Sequence, residues 1–375
     1  MTLPSKATLV GETALSRVDG VHGVLLYRGY DILDLGTQAT YEEVVHLLWY
    51  GELPDSAELA RLRAELSAHR RLPPFVRQTL QRCPRQAHPM AVLRTAVSAF
   101  GLTDPTAADN SLPSLQHKAL ALTAVTPSLV AAWERLRQGA TIIPPRADLG
   151  HAANFLYMLT GRDPQPAAAR ALEAFLVCLA DHAFNPSTFA CRFTFATLSD
   201  IYAAVTAGLG ALQGVAHGGA NQAAMEQFIE AHASGDIPAW YARRRAAGGR
   251  IMGVGHPIYQ VQDPRRQILA PLAEQMAADS DAGHWFQVAA RIEALTQQDP
   301  HFVERRLHAN VDFYSAVVLT MLGLPLDQFT CLFALARMAG WTAHVMEQAV
   351  ARRMLQPEAA YVGLPRRPFT PLAQR

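Results

Sequence analysis

The chain has 375 residues, of which half are hydrophobic and only 17% are charged, and its formal net charge at pH 7 is +1. At roughly 150 residues per domain, this length predicts two domains. A near-neutral charge without a basic block argues against nucleic acid as a partner. The charged fraction is below the ~25% of typical soluble domains, which indicates extensive burial in a large interior or against a second subunit.

The four cysteines are widely separated and show no CxxC spacing, which favours buried, reduced thiols. The first residues lack the apolar core of a signal peptide. The longest apolar runs, such as 316–321, are much shorter than the ~20 residues that cross a bilayer. We therefore expect a cytoplasmic protein without a membrane partner.

The predicted elements begin with short extended segments between residues 8 and 30, around the turn dipeptide Asp19-Gly20. From residue 40 the hydrophobic period becomes helical, and Thr40 with Glu43 forms a capping box ahead of an apolar face. Helical patterns then recur with little interruption, at 57–70, 74–81, 88–100, 115–137, 149–159, 166–181, 198–212, 221–233, 264–278, 285–297, 313–322 and 326–352. The predicted fold is mainly α, with a short N-terminal β segment.

Domain borders are marked only by glycines, since no flexible linker is present. Glycines recur between residues 208 and 219, and Gly323 begins a Gly-Leu-Pro tripeptide. We predict one domain formed by 1–219 together with 326–375, and a second, smaller domain formed by 220–325. The cleft between them is the expected place for a ligand.

Three motifs each contain one ionisable residue suited to joining two carbon fragments. They are Gly-Val-Ala-His-Gly-Gly-Ala-Asn with His217, Gly-Val-Gly-His with His256, and Asn-Val-Asp-Phe-Tyr-Ser with Asp312. Removal of a carbon-bound proton needs a placed base and hydrogen-bond donors at the oxygen where charge develops. Two histidines and one aspartate supply those groups.

The histidines also have a simpler interpretation, because the chain contains 14 of them and most serve as satisfied polar groups. Glycines flank His217 and His256 closely, and glycine permits a close approach of backbone to substrate. His217 also precedes a predicted helix, whose positive end favours a neutral imidazole. Spacing alone does not decide between the two interpretations. His88 and His151 are interpreted as structural.

Other polar residues in apolar surroundings are equally ambiguous. Asp312 is either a helix cap or a buried functional carboxylate. Arg337 lies in an apolar helix and needs a counter-charge from the protein or from a substrate carboxylate, and Arg265 raises the same question. His182 and Arg192 are the remaining unusual polar residues of this kind. Metal binding is not expected, because HxxxH, HxH and CxxC spacings are absent, and no phosphate loop of the GxxxxGK[ST] type occurs.

Read in order, these motifs resemble the citrate synthase family, which includes the 2-methylcitrate synthases. The resemblance runs nearly end to end. Besides the three site motifs, the matching segments are 11–14, 26–32, 48–54, 88–90, 151–159, 181–182, 329–330, 336–337 and 340–344.

The resemblance implies a two-domain helical homodimer in which the smaller domain closes over the cleft. Its substrates would be oxaloacetate and an acyl-CoA, either acetyl-CoA or propionyl-CoA. Asp312 would remove a proton from the acyl-CoA. His217 would hydrogen bond the thioester oxygen as the enol forms, and His256 would polarise the ketone of oxaloacetate.

The resemblance also assigns residues that bind substrates. His182, Arg265 and Arg337 would hold oxaloacetate, with the arginines gripping carboxylates bidentately. The turn Gly253-Val254-Gly255 would lie against the adenine end of CoA. The family needs no metal and no cofactor beyond the acyl-CoA co-substrate.

The chain departs from the family pattern at several charged positions. Ala183 follows His182 where the family commonly has a glutamate. Pro257 and Gln260 stand where the family often has positive charge near CoA. An Arg-Pro-Arg segment normally sends an arginine into the partner subunit's site, and the corresponding segment here begins with Gln356 and ends with Glu358. One carboxylate of oxaloacetate would thereby lack the positively charged side chain that pairs with it.

These departures leave two alternatives to a citrate-forming or 2-methylcitrate-forming enzyme. The first is a paralogue that uses a 2-keto acid with one carboxylate fewer, as Gln356 would allow. The second is a low-activity protein that binds a metabolite or a regulatory partner. The presence of Asp312, His217 and His256 together argues against the second.

Overall fold

A computed structural model describes residues 10–278 and 280–375. The chain enters the fold through a small antiparallel sheet of three strands, β1 (Ser16–Asp19), β2 (Val24–Tyr27) and β3 (Tyr30–Asp31), in that spatial order. Ser16 pairs with Tyr27 and Asp19 with Val24, so the turn between β1 and β2 holds the predicted Asp19-Gly20 pair. The prediction of an N-terminal β segment is confirmed for this part, while residues 8 and 9 lie outside the described residues.

The rest of the described chain is helical, which confirms the predicted fold class. The helices are α1 (Ile32–Gln38), α2 (Tyr41–Tyr50), α3 (Ser56–His69), α4 (Pro74–Arg82), α5 (Pro89–Gly101), α6 (Leu112–Arg137), α7 (His151–Thr160), α8 (Pro166–Leu179), α9 (Pro186–Ala196), α10 (Ile201–Leu212), α11 (Ala220–Ala233), α12 (Ile237–Ala246), α13 (Arg266–Ala278), α14 (His284–Gln298), α15 (Pro300–Glu304), α16 (Val311–Met321) and α17 (Phe329–Ala351). Short 3₁₀ turns span Leu326–Gln328 and Leu372–Gln374. No helix in the described ranges is both long enough and apolar enough to cross a bilayer.

Two long helices, α6 and α17, form the centre of the core. Almost every residue of 118–134 and of 329–346 is buried, so both helices are covered on all sides. α17 packs against α2, α6, α8, α9 and α10. Its few polar side chains, Arg337 and His344 among them, are therefore carried into the interior, where they need partners.

Helices α11 to α16 form a second group. α16 packs against α11, α13 and α14, and α12 packs against α14. This group meets the first through α13 and α16, which both contact α8. The division into one domain at 1–219 with 326–375 and a second at 220–325 stays a prediction.

Candidate active site

His182 lies in the turn between α8 and α9. The turn is tight because Ala183 has φ +48°, a left-handed conformation that is rare for a residue with a Cβ. The imidazole is buried, and its Nε2 lies 3.3 Å from the hydroxyl of Tyr259. Burial and the nearby charge of Arg265 hold the pKa of His182 well below its ordinary value. His182 is therefore a neutral hydrogen-bonding group.

His256 follows the turn at Gly255 and faces His182. The two ring centroids are 5.5 Å apart, and the Tyr259 ring is 4.7 Å from that of His256. The backbone N–H groups of Ile258 and Tyr259 donate to Nδ1 over 3.1 and 3.2 Å. Partial burial, followed by the charge of Arg265, lowers the pKa of His256 to about 4. Since Nδ1 accepts, the proton of the neutral ring is on Nε2, which is free to donate.

His217 lies just before α11, as the sequence indicated. Contacts from the start of α9 determine which ring nitrogen of His217 carries the proton. The backbone N–H of Ser187 donates to Nε2 over 3.3 Å, and the Ser187 hydroxyl lies 2.9 Å from the same nitrogen. Burial, followed by the charge of Arg337, lowers the pKa of His217 to about 4. A neutral ring that accepts at Nε2 carries its proton on Nδ1.

Ser187 was missed in the sequence, although a local signal was present. Asn185 caps α9 by accepting from the backbone N–H of Thr188 over 3.2 Å, and Pro186 occupies the first turn of the helix. That pattern predicts a helix start beside His182. It does not show that the same helix reaches His217.

Asp312 is not the cap of its helix, which decides one of the alternatives left open above. The cap is Asn310, whose side-chain oxygen accepts from the backbone N–H of Asp312 over 2.9 Å. Within the described ranges no group donates a hydrogen bond to the Asp312 carboxylate. Burial raises the pKa of Asp312 to about 6, with Arg265 opposing the shift and Asp263 adding to it. The carboxylate is thus a free base poised near neutral pH.

The glycine turn before His256 is tied to the start of α16. Gly253 and Gly255 have φ +75° and +90°, values that favour glycine. The N–H of Gly255 donates to the carbonyl of His308 over 2.8 Å, and the N–H of Asn310 donates to the carbonyl of Gly253 over 2.9 Å. The Asn310 side chain also donates to the Gly255 carbonyl over 2.7 Å. The loop of one candidate histidine is therefore fastened to the helix of the candidate base.

Arg265 is held by a protein carboxylate. Its Nε and Nη2 donate to the two oxygens of buried Asp263 over 3.0 and 2.8 Å. Asp263 also accepts from the backbone N–H of Val311 over 3.1 Å. Asp263 thus occupies one edge of the guanidinium, while Nη1 and the second N–H of Nη2 are left to donate to another anion.

Arg337 has an open donor in the interior. Its Nε donates to the carbonyl of Leu179 over 2.7 Å, and its buried Nη1 has no partner among the described residues. Burial lowers the pKa of Arg337 to about 10, against the favourable charge of Asp181. A buried, unpaired guanidinium nitrogen is rare and suits an anionic ligand.

Arg192 belongs to a structural network rather than to the set that faces His256. It pairs with Glu347, and its Nη1 lies 3.0 Å from Nδ1 of His344. Nε2 of His344 lies 3.2 Å from Asp181, the residue before His182. The network therefore supports the turn that carries His182. Across the described ranges, no group of three or more His, Cys, Asp or Glu is arranged to hold a metal ion.

Taken together, the site contains neutral imidazoles with defined N–H donors, a carboxylate of raised pKa and two buried arginines. A base of this kind can take a proton from carbon, and the donors can stabilise the oxygen that becomes negative. The fold and the site are those expected of a helical enzyme that forms an enol from one substrate and binds a second, anionic substrate.

Comparison with known proteins identifies the family. The family model described as "Citrate synthase, C-terminal domain" matches residues 4–358. The chain is 40% identical over 375 residues to a citrate synthase of Haloferax volcanii, covering 99% of this chain and 98% of that protein. It is 39% identical over 367 residues to a 2-methylcitrate synthase of Shewanella oneidensis, covering 97% and 96%. The chain belongs to the citrate synthase family.

Solved structures agree. Citrate synthase from Pyrobaculum aerophilum superposes with a TM-score of 0.89 at 37% identity, covering 98% of this chain and 93% of that one. A Thermoplasma acidophilum citrate synthase, solved with carboxymethyl coenzyme A and oxaloacetate, gives a TM-score of 0.91 at 29% identity, covering 98% and 97%. The resemblance read from the sequence is confirmed, and the protein is an acyltransferase that catalyses the condensation forming citrate or 2-methylcitrate.

Proposed function

We propose that this site condenses an acyl-CoA with oxaloacetate and that Asp312, His217 and His256 carry out the chemistry. The observation that supports this most directly is the pairing of a raised carboxylate pKa at Asp312 with two imidazoles whose pKa is lowered to about 4. The base is ready to accept a proton near pH 7, and the histidines are neutral donors at the same pH.

In the first step Asp312 takes a proton from the carbon next to the thioester carbonyl. The electron pair moves to the carbonyl oxygen, where the Nδ1–H of His217 stabilises the enol or enolate. The carbon then attacks the ketone carbon of oxaloacetate. The ketone oxygen receives a hydrogen bond and then a proton from Nε2 of His256. The proton that Asp312 removed from the acyl-CoA is then passed to the His256 ring through solvent, which restores both groups. Water finally cleaves the thioester of the condensed product and releases CoA with a free thiol. No metal or redox cofactor enters these steps.

Oxaloacetate would be held by His182, Arg337 and Arg265. The unpaired Nη1 of Arg337 and the free Nη1 of Arg265 supply charge-assisted donors for its carboxylates. His182 adds a neutral donor or acceptor beside His256. Burial, followed by the charge of Arg265, lowers the pKa of both histidines and so keeps them uncharged near an anion.

CoA would run along the turn Gly253-Val254-Gly255, which is hydrogen bonded to the start of α16. A neighbouring cavity of about 260 Å³ is lined by residues that include Arg306, His308 and the carboxylate Glu293. Glu293 is paired with Arg266, which leaves the positive charge of Arg306 to support a role beside the CoA phosphates, since the chain lacks charge at Pro257 and Gln260.

We further propose a cytoplasmic homodimer. The C-terminal segment leaves large apolar side chains in solvent, including Tyr361, Val362 and Phe369, and Val362 is 95% exposed. Exposed apolar surface of this extent is typical of an interaction site, and a second copy that covers it would bury the tail. The cysteines of the described residues are free, in keeping with a reducing compartment. Light scattering that found a stable, active monomer would contradict the dimer.

The experiment that tests the function is a steady-state assay of thiol release. Purified protein is given acetyl-CoA or propionyl-CoA with oxaloacetate, and with 2-keto acids that have one carboxylate fewer. We expect thiol release that depends on oxaloacetate, with the product identified by mass as citrate or 2-methylcitrate. Turnover with a monocarboxylic keto acid and none with oxaloacetate would overturn the assignment.

A further inference from the structure

The turn between β1 and β2 presses against the loop that follows His256. The carbonyl of Gly20 accepts a hydrogen bond from the N–H of Gln260 over 2.8 Å. A Cβ placed on Gly20 would lie 2.1 Å from the carbonyl oxygen of Ile258, far inside contact distance. A Cβ on Gly23 would lie 2.9 Å from Cγ2 of Val261. The contact therefore requires glycine at position 20, although Gly20 itself does not have a positive φ.

The pinned loop is the one that orients His256. Nδ1 of His256 accepts from the N–H groups of Ile258 and Tyr259, which immediately precede the Gln260 amide. If this backbone moved, its N–H groups would no longer donate to Nδ1. The proton of the neutral His256 ring would then no longer be fixed on Nε2. The hairpin thus influences the orientation of the His256 imidazole through the two backbone hydrogen bonds to Nδ1.

The other end of β1 holds the turn that carries His182. The hydroxyl of Ser16 donates to Asp181 over 2.5 Å and accepts from the N–H of Ala183 over 2.8 Å. Ala183 has φ +48°, a strained conformation that persists only where its surroundings hold it. Ser16 is buried and supplies part of that support.

We propose that the β1–β2 hairpin is a positioning element that sets His182 and His256 at the spacing the keto acid needs, with Ser16 and Gly20 as the positioning residues. A four-residue strand spans roughly 13 Å, so one rigid element reaches both loops, and the imidazole centroids are held 5.5 Å apart. The inference rests on the proposed roles of His182 and His256. Because Gly20 and Gln260 lie on opposite sides of the proposed domain division, the contact also joins the two domains.

The test compares Gly20→Ala with Val21→Ala, a change in the same turn at a side chain that is 57% exposed. Backbone amide exchange and steady-state kinetics are measured on the full-length protein. Gly20→Ala should raise the exchange rate of the Gln260 amide at least about tenfold and raise the KM for oxaloacetate about tenfold or more, since small misplacements of binding groups have large kinetic effects. The KM for acyl-CoA should change less, and Val21→Ala should match the parent.

Ser16 provides a second, milder variant in case Gly20→Ala does not fold. Ser16→Ala should raise exchange at the Ala183 amide and the KM for oxaloacetate, and Ser16→Thr, which keeps the hydroxyl, should restore both. Unchanged exchange in Gly20→Ala and Ser16→Ala, or raised exchange without a change in KM, would overturn the inference. His256→Ala serves as the comparator, because normal kinetics in that variant would show that the proposed role of His256 has failed rather than the hairpin's effect on the loop.

Discussion

Asp312 gives the site its sharpest dependence on pH. The carboxylate acts as a base only when ionised, and burial raises its pKa to about 6. We expect kcat/KM, which reports ionisations of the enzyme without substrate, to fall as pH drops through about 6, along a single ionisation limb. His217 and His256, with their pKa lowered to about 4, should add no limb between pH 5 and 8.

The check is a pH profile of kcat/KM from pH 5 to 8, measured with the concentration of each substrate varied in turn. A profile that rises toward acid, as a protonated histidine requires, would contradict the assignment of neutral donors.

The proposed role of His217 is to donate a hydrogen bond as charge develops on the thioester oxygen. We expect His217→Ala to lower kcat by ~10²–10³-fold with a smaller change in KM, because the lost hydrogen bond strengthens in the transition state. Steady-state kinetics against acyl-CoA make the measurement. A change confined to KM would show that His217 binds substrate without stabilising the enol.

At the scale of elements, Asn310 at the start of α16 makes two separate contacts. Asn310 caps the helix and also donates to the Gly255 carbonyl. We expect Asn310→Ala to lose the cap, which lowers the free energy of unfolding by about 1 kcal/mol, and to raise the KM for acyl-CoA. Thermal unfolding and kinetics measure the two effects.

The matched control is Asn310→Ser, which keeps a capping oxygen but is too short to hold Gly255. It should retain the melting temperature and still raise the KM for acyl-CoA. If both variants bound acyl-CoA like the parent, the turn at Gly253-Val254-Gly255 would lie outside the CoA site.

Local patterns predicted most of these elements, because capping and hydrophobic period are encoded within a few residues. The Thr40–Glu43 capping box is present as predicted. α9 and α12 were missed although Asn185 and Asp236 cap them and a proline stands in each first turn. Contacts such as Ser187 with His217, or Gly20 with Gln260, could not be predicted, since they join segments that only the fold brings together. The roles of the site residues came from family motifs and stay predictions.

For the whole molecule, the C-terminal segment bears on how the second carboxylate of oxaloacetate would be held. Gln356 lies exposed in the C-terminal segment, at the position where the resemblance implies an arginine that reaches a partner subunit. Loss of a charge-assisted hydrogen bond weakens binding by ~1.5–3 kcal/mol. We therefore expect a high KM for oxaloacetate, which Gln356→Arg should lower without much effect on acyl-CoA.

Arg352 and Arg353 begin the same exposed segment and provide the comparison. If either one substitutes for the missing arginine, Arg352→Ala or Arg353→Ala should raise the KM for oxaloacetate sharply, while Gln356→Arg does little. If none of the three changes moved this KM, the segment would lie outside the site.

The central claim is that Asp312 is the base that enolises the acyl-CoA. The most direct measurement is oxaloacetate-dependent thiol release by the parent and by Asp312→Ala at pH 8, with equal helical content verified by circular dichroism. The account predicts a loss of at least ~10²-fold in kcat for a missing general base. A folded Asp312→Ala protein that turned over at the parent's rate would contradict it.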